Sequence, residues 1–282
     1  MATSKDGGHL LLGLRFLATI ENTHIRLDYR ESGTGEAVVL LHSTGFDSGQ
    51  WRGVGEMLAR EFRVLAPDLP GYGESRQVDG GMGLEHDLQA VTLLLQQCGR
   101  PAHLVGHSYG GLLALRLALT EPALLASLTL IEPMSRGVLQ GSDAAAARAE
   151  TGAGADFAAA LNSGDMVQAL EAFVDYWNRP GAWKVMGEEA RAKLLARGPK
   201  IMCEVAAVDA DEAPAAIYAG LALPTLLISG GDTRPSSRRV CELVAHAIPG
   251  ARHEQIPGAG HLSPLSHPNE VAALIAGHVR AG

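Results

Sequence analysis

The sequence is short of cysteine and has no excess of positive charge. Its three cysteines, Cys98, Cys203 and Cys241, are far apart among 282 residues and form no Cys-x-x-Cys pair, which argues against a disulfide framework and against a thiolate zinc site. The 23 Lys and Arg residues are outnumbered by 31 Asp and Glu residues, so the net charge of −8 offers no attraction to nucleic acid. We expect a protein of a reducing compartment that has no nucleic-acid partner.

The sequence also lacks a long apolar run. Nowhere do 18 apolar residues follow one another, and the leading MATSKDGGHLLLGLRF has only a five-residue apolar run before Arg15, which is shorter than the apolar region of a secretory signal. These absences predict a cytoplasmic protein with no membrane partner. Residues 1–15 are expected to form a flexible N-terminal tail.

Strand and helix patterns alternate over most of the chain. The run Ala37–Leu41 is apolar at consecutive positions, as in a strand buried on both faces of a mostly parallel sheet. An opening hairpin is predicted over Phe16–Asn22 and Ile25–Tyr29, and further strand runs are Arg63–Ala66, Ala102–Val105, Ser127–Ile131, Pro224–Ser229 and Ala251–Ile256. Helical patterns are found at Leu84–Cys98, Gly111–Leu119 and Ser236–Ala247. This alternation predicts a doubly wound α/β fold.

The alternation stops between residues 135 and 222, where alanine is abundant and no strand-like run occurs. Asp165 is placed to cap a helix, and a second helix is predicted over Glu188–Arg197. The apolar face of the first helix comprises Met166, Leu170, Phe173 and Trp177. We expect a core of residues 16–134 and 223–282 with a helical cap, or lid, inserted at 135–222.

The strongest chemical signal is the sequence GHSYGG at residues 106–111, between a strand run and a helix pattern. A nucleophilic serine at a sharp strand-to-helix turn has a strained backbone, and side chains two positions before and after it would collide. Glycine occupies both of those positions, Gly106 and Gly110. The pattern therefore predicts Ser108 as a nucleophile, and His107 is expected to point away from it and to be structural.

A serine hydroxyl needs a base, and the base needs a carboxylate that orients it. His261 follows the last strand run in a glycine turn, and Asp232 follows Pro224–Ser229 and two glycines, so both are expected at the carboxyl edge of the sheet. We predict His261 as the base and Asp232 as the acid. The rival acid is Glu132, which ends the run Leu128–Ile131 and can reach the same histidine; its other possible role is buried support of the site.

With these residues in place, the chain resembles α/β-hydrolases of the lidded esterase, dehalogenase and haloperoxidase type from about Phe16 to its C-terminus. Besides the serine turn and the order Ser, Asp, His, the motifs that carry the resemblance are LLHSTGFDSGQW at Leu40–Trp51, APDLPGYGES at Ala66–Ser75 and GAGHLSPLSHP at Gly258–Pro268. The resemblance implies an eight-stranded, mostly parallel sheet. In this family an aspartate in place of Ser108 implies dehalogenase or epoxide-hydrolase chemistry, so the serine disfavours both.

An oxyanion hole is expected from the backbone N–H of Tyr109 and, by similarity to the family, from that of Thr44. The family usually has glycine after the histidine of this loop, whereas this chain has Ser43 after His42. The path of the loop, and with it the second donor, therefore stays open at this stage. His42 is expected to brace the loop rather than to react.

The expected reaction is hydrolysis of a small-to-medium apolar or aromatic ester or lactone through an acyl-enzyme, without cofactor or metal. The residues expected to line the substrate pocket are Met134, Phe173, Trp177, Trp183 and Leu262. For the cap aromatics, including Phe157, the alternative is packing against the core. The same triad serves C–C bond hydrolases, thioesterases and cofactor-free perhydrolases, and a non-catalytic ligand receptor is the alternative from another class. The protein is expected to act on a small molecule as a monomer or a homodimer.

Overall fold

One mixed sheet organises the chain, of which the computed structural model describes residues 16–77, 80–153, 159–160 and 162–281. Its strands are β1 (Phe16–Glu21), β2 (Ile25–Ser32), β3 (Ala37–Leu41), β4 (Arg63–Pro67), β5 (Arg76–Gln77), β6 (Ala102–His107), β7 (Leu125–Ile131), β8 (Thr225–Gly230) and β9 (Arg252–Ile256). Eight of them lie in the order β1-β2-β4-β3-β6-β7-β8-β9, and the two-residue β5 pairs with β2 beside this path. β1 and β2 form the predicted antiparallel hairpin, and β2 is antiparallel to β4. From β4 to β9 every neighbouring pair is parallel, which confirms the predicted eight-stranded, mostly parallel sheet.

Helices connect the parallel strands and cover the sheet. They are α1 (Arg52–Leu58), α2 (Leu84–Gln97), α3 (Tyr109–Thr120), α4 (Arg136–Ser142), α5 (Ala144–Ala153), α6 (Met166–Trp177), α7 (Ala182–Val185), α8 (Glu188–Ala196), α9 (Gly198–Asp209), α10 (Pro235–Ala247), α11 (Ser263–Ser266) and α12 (Pro268–Val279). Short 3₁₀ turns occur at Ser48–Trp51, Pro122–Leu124 and Ala215–Gly220. The helices predicted in the core are present, each ending within two residues of the expected position.

Strand β3 shows why the central strands are apolar at every position. Val39 and Leu41 belong to one buried cluster, which includes residues of α2 and α3. Val38 and Leu40 belong to a second cluster on the opposite face, which includes residues of α1 and α12. Because all four are fully buried, each stabilises the fold by about 1.5–3 kcal/mol relative to an exposed position. No helix within the described ranges has both the length and the apolar character needed to cross a bilayer.

Helices fill most of the described part of residues 135–222, and no strand occurs there. The carboxylate of Asp165 caps α6 by accepting hydrogen bonds from the N–H groups of Val167 and Gln168, at 2.9 and 3.2 Å. Helix α8 ends before Gly198-Pro199, as expected, and α9 starts there. We refer to residues 135–222 as the cap segment. The predicted tail at 1–15 and Phe157 lie outside the described residues.

Candidate active site

The turn between β6 and α3 holds Ser108 in a strained conformation, with φ 56° and ψ −115°. Its N–H donates to the carbonyl oxygen of Ile131 on the neighbouring strand, at 3.0 Å, which fixes the turn against the sheet. A Cβ on Gly106 would overlap the backbone of Gly110, and a Cβ on Gly110 would lie 2.5 Å from the carbonyl oxygen of Leu41. The predicted steric reason for both glycines is confirmed. The absence of a side chain at Gly110 also leaves room for the backbone at the end of β3.

The structure brings the predicted nucleophile and base together. His261 lies in the loop after β9, and its Nε2 is 3.1 Å from Oγ of Ser108. Both residues are buried, yet both line a cavity, so a ligand in that cavity would meet the hydroxyl directly. A contact of this length lets the hydroxyl donate its hydrogen bond to a neutral imidazole.

The carboxylate that orients His261 is Glu132, not Asp232. Oε2 of Glu132 accepts a hydrogen bond from Nδ1 of His261 at 2.6 Å and a second from the hydroxyl of Thr233 at 2.7 Å. Its other oxygen, Oε1, accepts from the N–H of Gly230 at 2.8 Å. Glu132 follows β7, which lies between the strands that precede Ser108 and Asp232, and its φ of 43° turns the chain sharply at that point.

The assignment of Asp232 as the acid is therefore wrong in this structure. After β8 the backbone turns toward the loop that follows β9, because the N–H of Gly231 donates to Ile256 and the N–H of Asp232 donates to Ala259. This turn leaves the Asp232 side chain exposed. The next residue, Thr233, is the one that points into the site, where it binds Glu132.

The surroundings of Glu132 keep it ionised although it is fully buried. Burial opposes ionisation, but the hydrogen bond and the charge of His261, with the donors Gly230 and Thr233, outweigh that effect and lower the pKa of the carboxyl. An ionised carboxylate at this position holds the proton of His261 on Nδ1 and leaves Nε2 free to accept from Ser108.

A hydrogen-bonded relay joins the loop after β3 to the backbone of His261. The N–H and the hydroxyl of Ser43 both donate to Oε1 of Gln50, at 3.1 and 2.9 Å. This sets the amide orientation, so Nε2 of Gln50 donates to Nδ1 of His107 at 3.1 Å. His107 then donates from Nε2 to the carbonyl oxygen of His261 at 2.8 Å. Both ring nitrogens of His107 are thus hydrogen-bonded to groups other than Ser108. Because one nitrogen accepts and the other donates, the imidazole of His107 must be neutral.

His42 has a comparable role in the same loop. Its Nδ1 donates to the carbonyl oxygen of Ser43 at 2.9 Å, and its Nε2 accepts from the N–H of Leu69 at 3.0 Å. Burial lowers the pKa of His42 to about 4, so the ring stays neutral as this pairing requires. The contacts match the expectation that His42 braces the loop.

Acid should destabilise the protein through these two buried histidines. Burial, with the neighbouring His261, lowers the pKa of His107 to about 3, well below the value of about 6.5 in an unfolded chain. Below pH 6.5 the unfolded chain therefore binds protons that the folded chain does not, and stability falls as the pH falls toward the folded values. We expect each of His42 and His107 to reduce the free energy of unfolding by about 1 to 1.5 kcal/mol between pH 7.5 and 5.5.

Urea denaturation at the two pH values measures this loss. The variant His107→Gln keeps a donor and an acceptor but cannot titrate, so it should lose less stability than the parent over the same interval. An equal loss in the parent and in His107→Gln would show that His107 does not contribute.

Two backbone N–H groups are suited to bind an oxyanion. Tyr109 is the first residue of α3, so its N–H has no partner within the helix. In the loop after β3, the N–H groups of Ser43, Gly45 and Phe46 donate to Gln50, to Tyr72 and to the carbonyl of Ser43, respectively. Within the described chain, the N–H of Thr44 has no such partner. Thr44 also lines the cavity next to Ser108.

A buried polar cluster links the cap segment to this loop. Lys200 of α9 is 1% exposed and pairs with Asp87 of α2 at 2.6 Å, and Asp87 also accepts from the hydroxyl of Tyr109 at 2.6 Å. Tyr72 accepts from the N–H of Gly45 and donates to Glu204 of α9, both at 2.9 Å. Helix α9 thereby supports the loop on which Thr44 lies.

A cavity of about 530 Å³ lies between the cap segment and Ser108, within the usual range for small-molecule sites. Of the predicted pocket residues, Met134, Phe173, Trp177 and Leu262 line it. Trp183 does not, so its assignment to the pocket is wrong. Trp183 is 5% exposed and packs with Leu170, Val174 and Ile201 inside the cap segment, because α7 folds back against α6.

The charged side chains at the cavity are all engaged in ion pairs within the described part of the chain. Arg136 pairs with Asp209 at 2.9 Å, and both line the cavity. The other charged lining residues with their partners are Lys193 with Glu189 at 2.8 Å, Arg197 with Asp47 at 2.6 Å and Glu150 with Arg234 at 3.9 Å. The remainder of the lining is largely apolar, so the cavity offers no unpaired charge to a ligand.

Comparison with known proteins gives a matching family, curated relatives and similar solved structures. A family model described as the alpha/beta hydrolase family matches residues 38–274. The pimeloyl-[acyl-carrier protein] methyl ester esterase of Yersinia pseudotuberculosis is 30% identical over 260 residues, which cover 86% of this chain and 93% of that protein. The 2-hydroxy-6-oxo-6-phenylhexa-2,4-dienoate hydrolase of Burkholderia cepacia is 36% identical over 122 residues, which cover 41% of this chain and 42% of that protein. The crystal structure of a hydrolase from Pseudomonas aeruginosa PA01 aligns with a TM-score of 0.74 at 28% identity, over 93% of this chain and 98% of that one.

Proposed function

The chain belongs to the alpha/beta hydrolase family, and from this premise we propose that it is a serine hydrolase with Ser108, His261 and Glu132 as its triad. The substrate we propose is a small-to-medium apolar or aromatic carboxylic ester or lactone. The observation that carries the proposal is the continuous chain of hydrogen bonds from the Ser108 hydroxyl through both nitrogens of His261 to the Glu132 carboxylate.

The geometry supports a two-step reaction. Oγ of Ser108 attacks the ester carbonyl while Nε2 of His261 takes the hydroxyl proton, and the imidazolium that forms is stabilised by the ionised Glu132. His261 then passes the proton to the leaving alcohol, which breaks the C–O bond and leaves an acyl group on Ser108. Water then attacks the acyl carbon while His261 takes one of its protons. His261 returns that proton to Oγ of Ser108 as the bond between Oγ and the acyl carbon breaks, which releases the acid and restores the serine.

The oxyanion of each tetrahedral intermediate would be bound by the N–H groups of Tyr109 and Thr44. One such donor typically contributes about 3 kcal/mol to the stability of the transition state. The relay through Gln50 and the cluster around Tyr72 both end on the Thr44 loop, so this loop is held from two sides before substrate arrives.

The paired charges of the cavity favour a neutral acyl group. A substrate carboxylate would have to compete with Asp209 for Arg136 or with Asp47 for Arg197, or it would be buried without a partner, which is costly. The name of the Yersinia relative, a methyl ester esterase, supports ester cleavage as the reaction class.

A C–C bond hydrolase is the second candidate, because the Burkholderia relative is named for hydrolysis of a dienoate. That substrate bears a carboxylate, for which the described cavity lining has no unpaired cation. We therefore expect the protein to hydrolyse such a dienoate more slowly than a neutral ester. The loss of the absorbance of the dienoate measures its turnover.

A matched pair of esters tests the proposed substrate class. The p-nitrophenyl ester of hexanoate and the mono-p-nitrophenyl ester of adipate share a six-carbon acyl chain and differ in one terminal carboxylate. We expect kcat/KM for the adipate ester to be lower by about tenfold or more, since its carboxylate would be buried unpaired. Faster turnover of the adipate ester would refute the neutral-substrate proposal, and no turnover of any ester in a folded sample would refute the esterase proposal.

We further propose that the protein acts in the cytoplasm on a small molecule, as a monomer or homodimer. All three cysteines, Cys98, Cys203 and Cys241, are free, which fits a reducing compartment.

A further inference from the structure

An aromatic side chain of the cap segment lies face to face with the imidazole of the triad. The indole of Trp177, at the last position of α6, stacks on the ring of His261 with 4.4 Å between ring centroids and 27° between planes. Trp177 also lines the cavity that contains Ser108. The indole therefore covers one face of the imidazole, within the cavity that contains Ser108.

Trp177 is itself held in place from the core. The ring of Tyr176 packs edge to face against it, with centroids 4.9 Å apart. The guanidinium of Arg234 lies 3.7 Å from the centroid of the Tyr176 ring and donates to the Tyr176 carbonyl oxygen at 3.3 Å. Arg234 directly follows Thr233, whose hydroxyl binds Glu132. The segment that holds the carboxylate of the triad therefore also holds the aromatic pair that covers its histidine.

We propose that Trp177 is a positioning residue for His261, which keeps the imidazole plane aligned between Ser108 and Glu132 and stabilises the imidazolium through the indole face. The inference rests on the proposed function, because the imidazolium forms only when Ser108 gives up its proton. A cation over the face of an indole is attracted by the ring quadrupole, and tryptophan is the strongest of the aromatic partners. The same face stabilises neutral imidazole less, so the contact favours the charged state.

Other charged and titratable groups face His261 and must stay unchanged in a test. Glu132 stabilises the charge, whereas His107, whose ring centroid is 5.0 Å away, is neutral because burial lowers its pKa to about 3. A smaller adjacent cavity of about 360 Å³, which His261 also lines, carries the charged residues Arg179, Asp232 and Arg234. A substitution of Trp177 alters none of these residues.

Trp177→Leu and Trp177→Phe separate the aromatic face from the apolar volume. Leucine keeps His261 covered but removes the π-face, whereas phenylalanine retains a weaker one. For Trp177→Leu we expect kcat for a p-nitrophenyl ester to fall about tenfold and the acid limb of the kcat/KM profile to move to lower pH by about half a unit or more, since the charged imidazole loses a stabilising partner. Trp177→Phe should recover part of both effects.

Met186→Ala is the control, because Met186 lines the same cavity on the cap segment without a ring that could stack. It should change KM and leave the acid limb where it is. An acid limb that stays in place or moves to higher pH in Trp177→Leu would overturn the inference, since the indole would then act only as lining or as a barrier to water. The proposed function fails separately, if Ser108→Ala retains the parent activity.

Discussion

Ser108→Ala should lower kcat for ester hydrolysis by about five to six orders of magnitude, as expected when the nucleophile of a triad is removed. The substitution deletes one oxygen, whose hydrogen bond is made to His261. The strained φ of 56° is equally unfavourable for serine and alanine, so the backbone should remain as it is. The measurement is turnover of a p-nitrophenyl ester by the purified variant.

Urea denaturation provides the control for that variant. Its free energy of unfolding should be within about 1 kcal/mol of the parent value, since only an oxygen with one partner is removed. Parent-like turnover by a folded Ser108→Ala protein would show that the serine does not carry the reaction.

Glu132→Gln should lower kcat by about 10³ to 10⁴-fold, as when the acid of another triad is neutralised. Glutamine has the same volume but only one acceptor oxygen. It therefore cannot accept all three hydrogen bonds that Gly230, Thr233 and His261 donate to the two oxygens of Glu132. The neutral amide cannot stabilise the imidazolium, and its NH₂ group favours the wrong tautomer of His261.

The matched control is Asp232→Asn, which makes the same chemical change in the carboxylate that the sequence order favours. Asp232 is exposed and its side chain lies outside the proposed triad, so kcat should stay within about twofold of the parent value. A large loss in Asp232→Asn together with a small one in Glu132→Gln would contradict the assignment of the acid.

Local pattern was enough to predict the sheet, the serine turn and the histidine. The strand β3 is apolar at every position because both faces are buried, and the glycines around Ser108 are required by the close backbone of the turn. Each of these features is determined by neighbours in sequence or by the periodicity of burial, so it can be predicted from a single sequence. The position of His261 after the last strand follows from the same parallel topology.

The choice between two carboxylates could not be made in this way. Asp232 and Glu132 both follow apolar strands that end at the same edge of the sheet, and the order along the chain favours Asp232. What decides between them is the turn after β8, which directs Thr233 inward and Asp232 outward. One feature of the sequence could have indicated Glu132, since it directly follows the apolar end of the buried strand β7. A glutamate in such a position needs hydrogen-bond partners inside the protein.

Tertiary packing also determines the parts of the site that the sequence did not reveal. Gln50 joins Ser43 to His107, which lies 57 residues after Gln50 in the sequence, and no spacing rule identifies such a partner. Trp177 and Trp183 are both cap tryptophans, but the fold of α7 onto α6 buries Trp183 and leaves Trp177 on the imidazole. Residue type predicted an aromatic cavity without indicating which ring would face it.

Trapping of the acyl-enzyme tests the central claim most directly. After rapid acid quench of the parent protein with p-nitrophenyl butyrate, mass spectrometry of the peptide that contains residues 106–111 should show a butyryl group on the serine oxygen, present in the steady state and lost when substrate is exhausted. Steady turnover of the ester with no acyl group on Ser108 at any quench time would contradict the account.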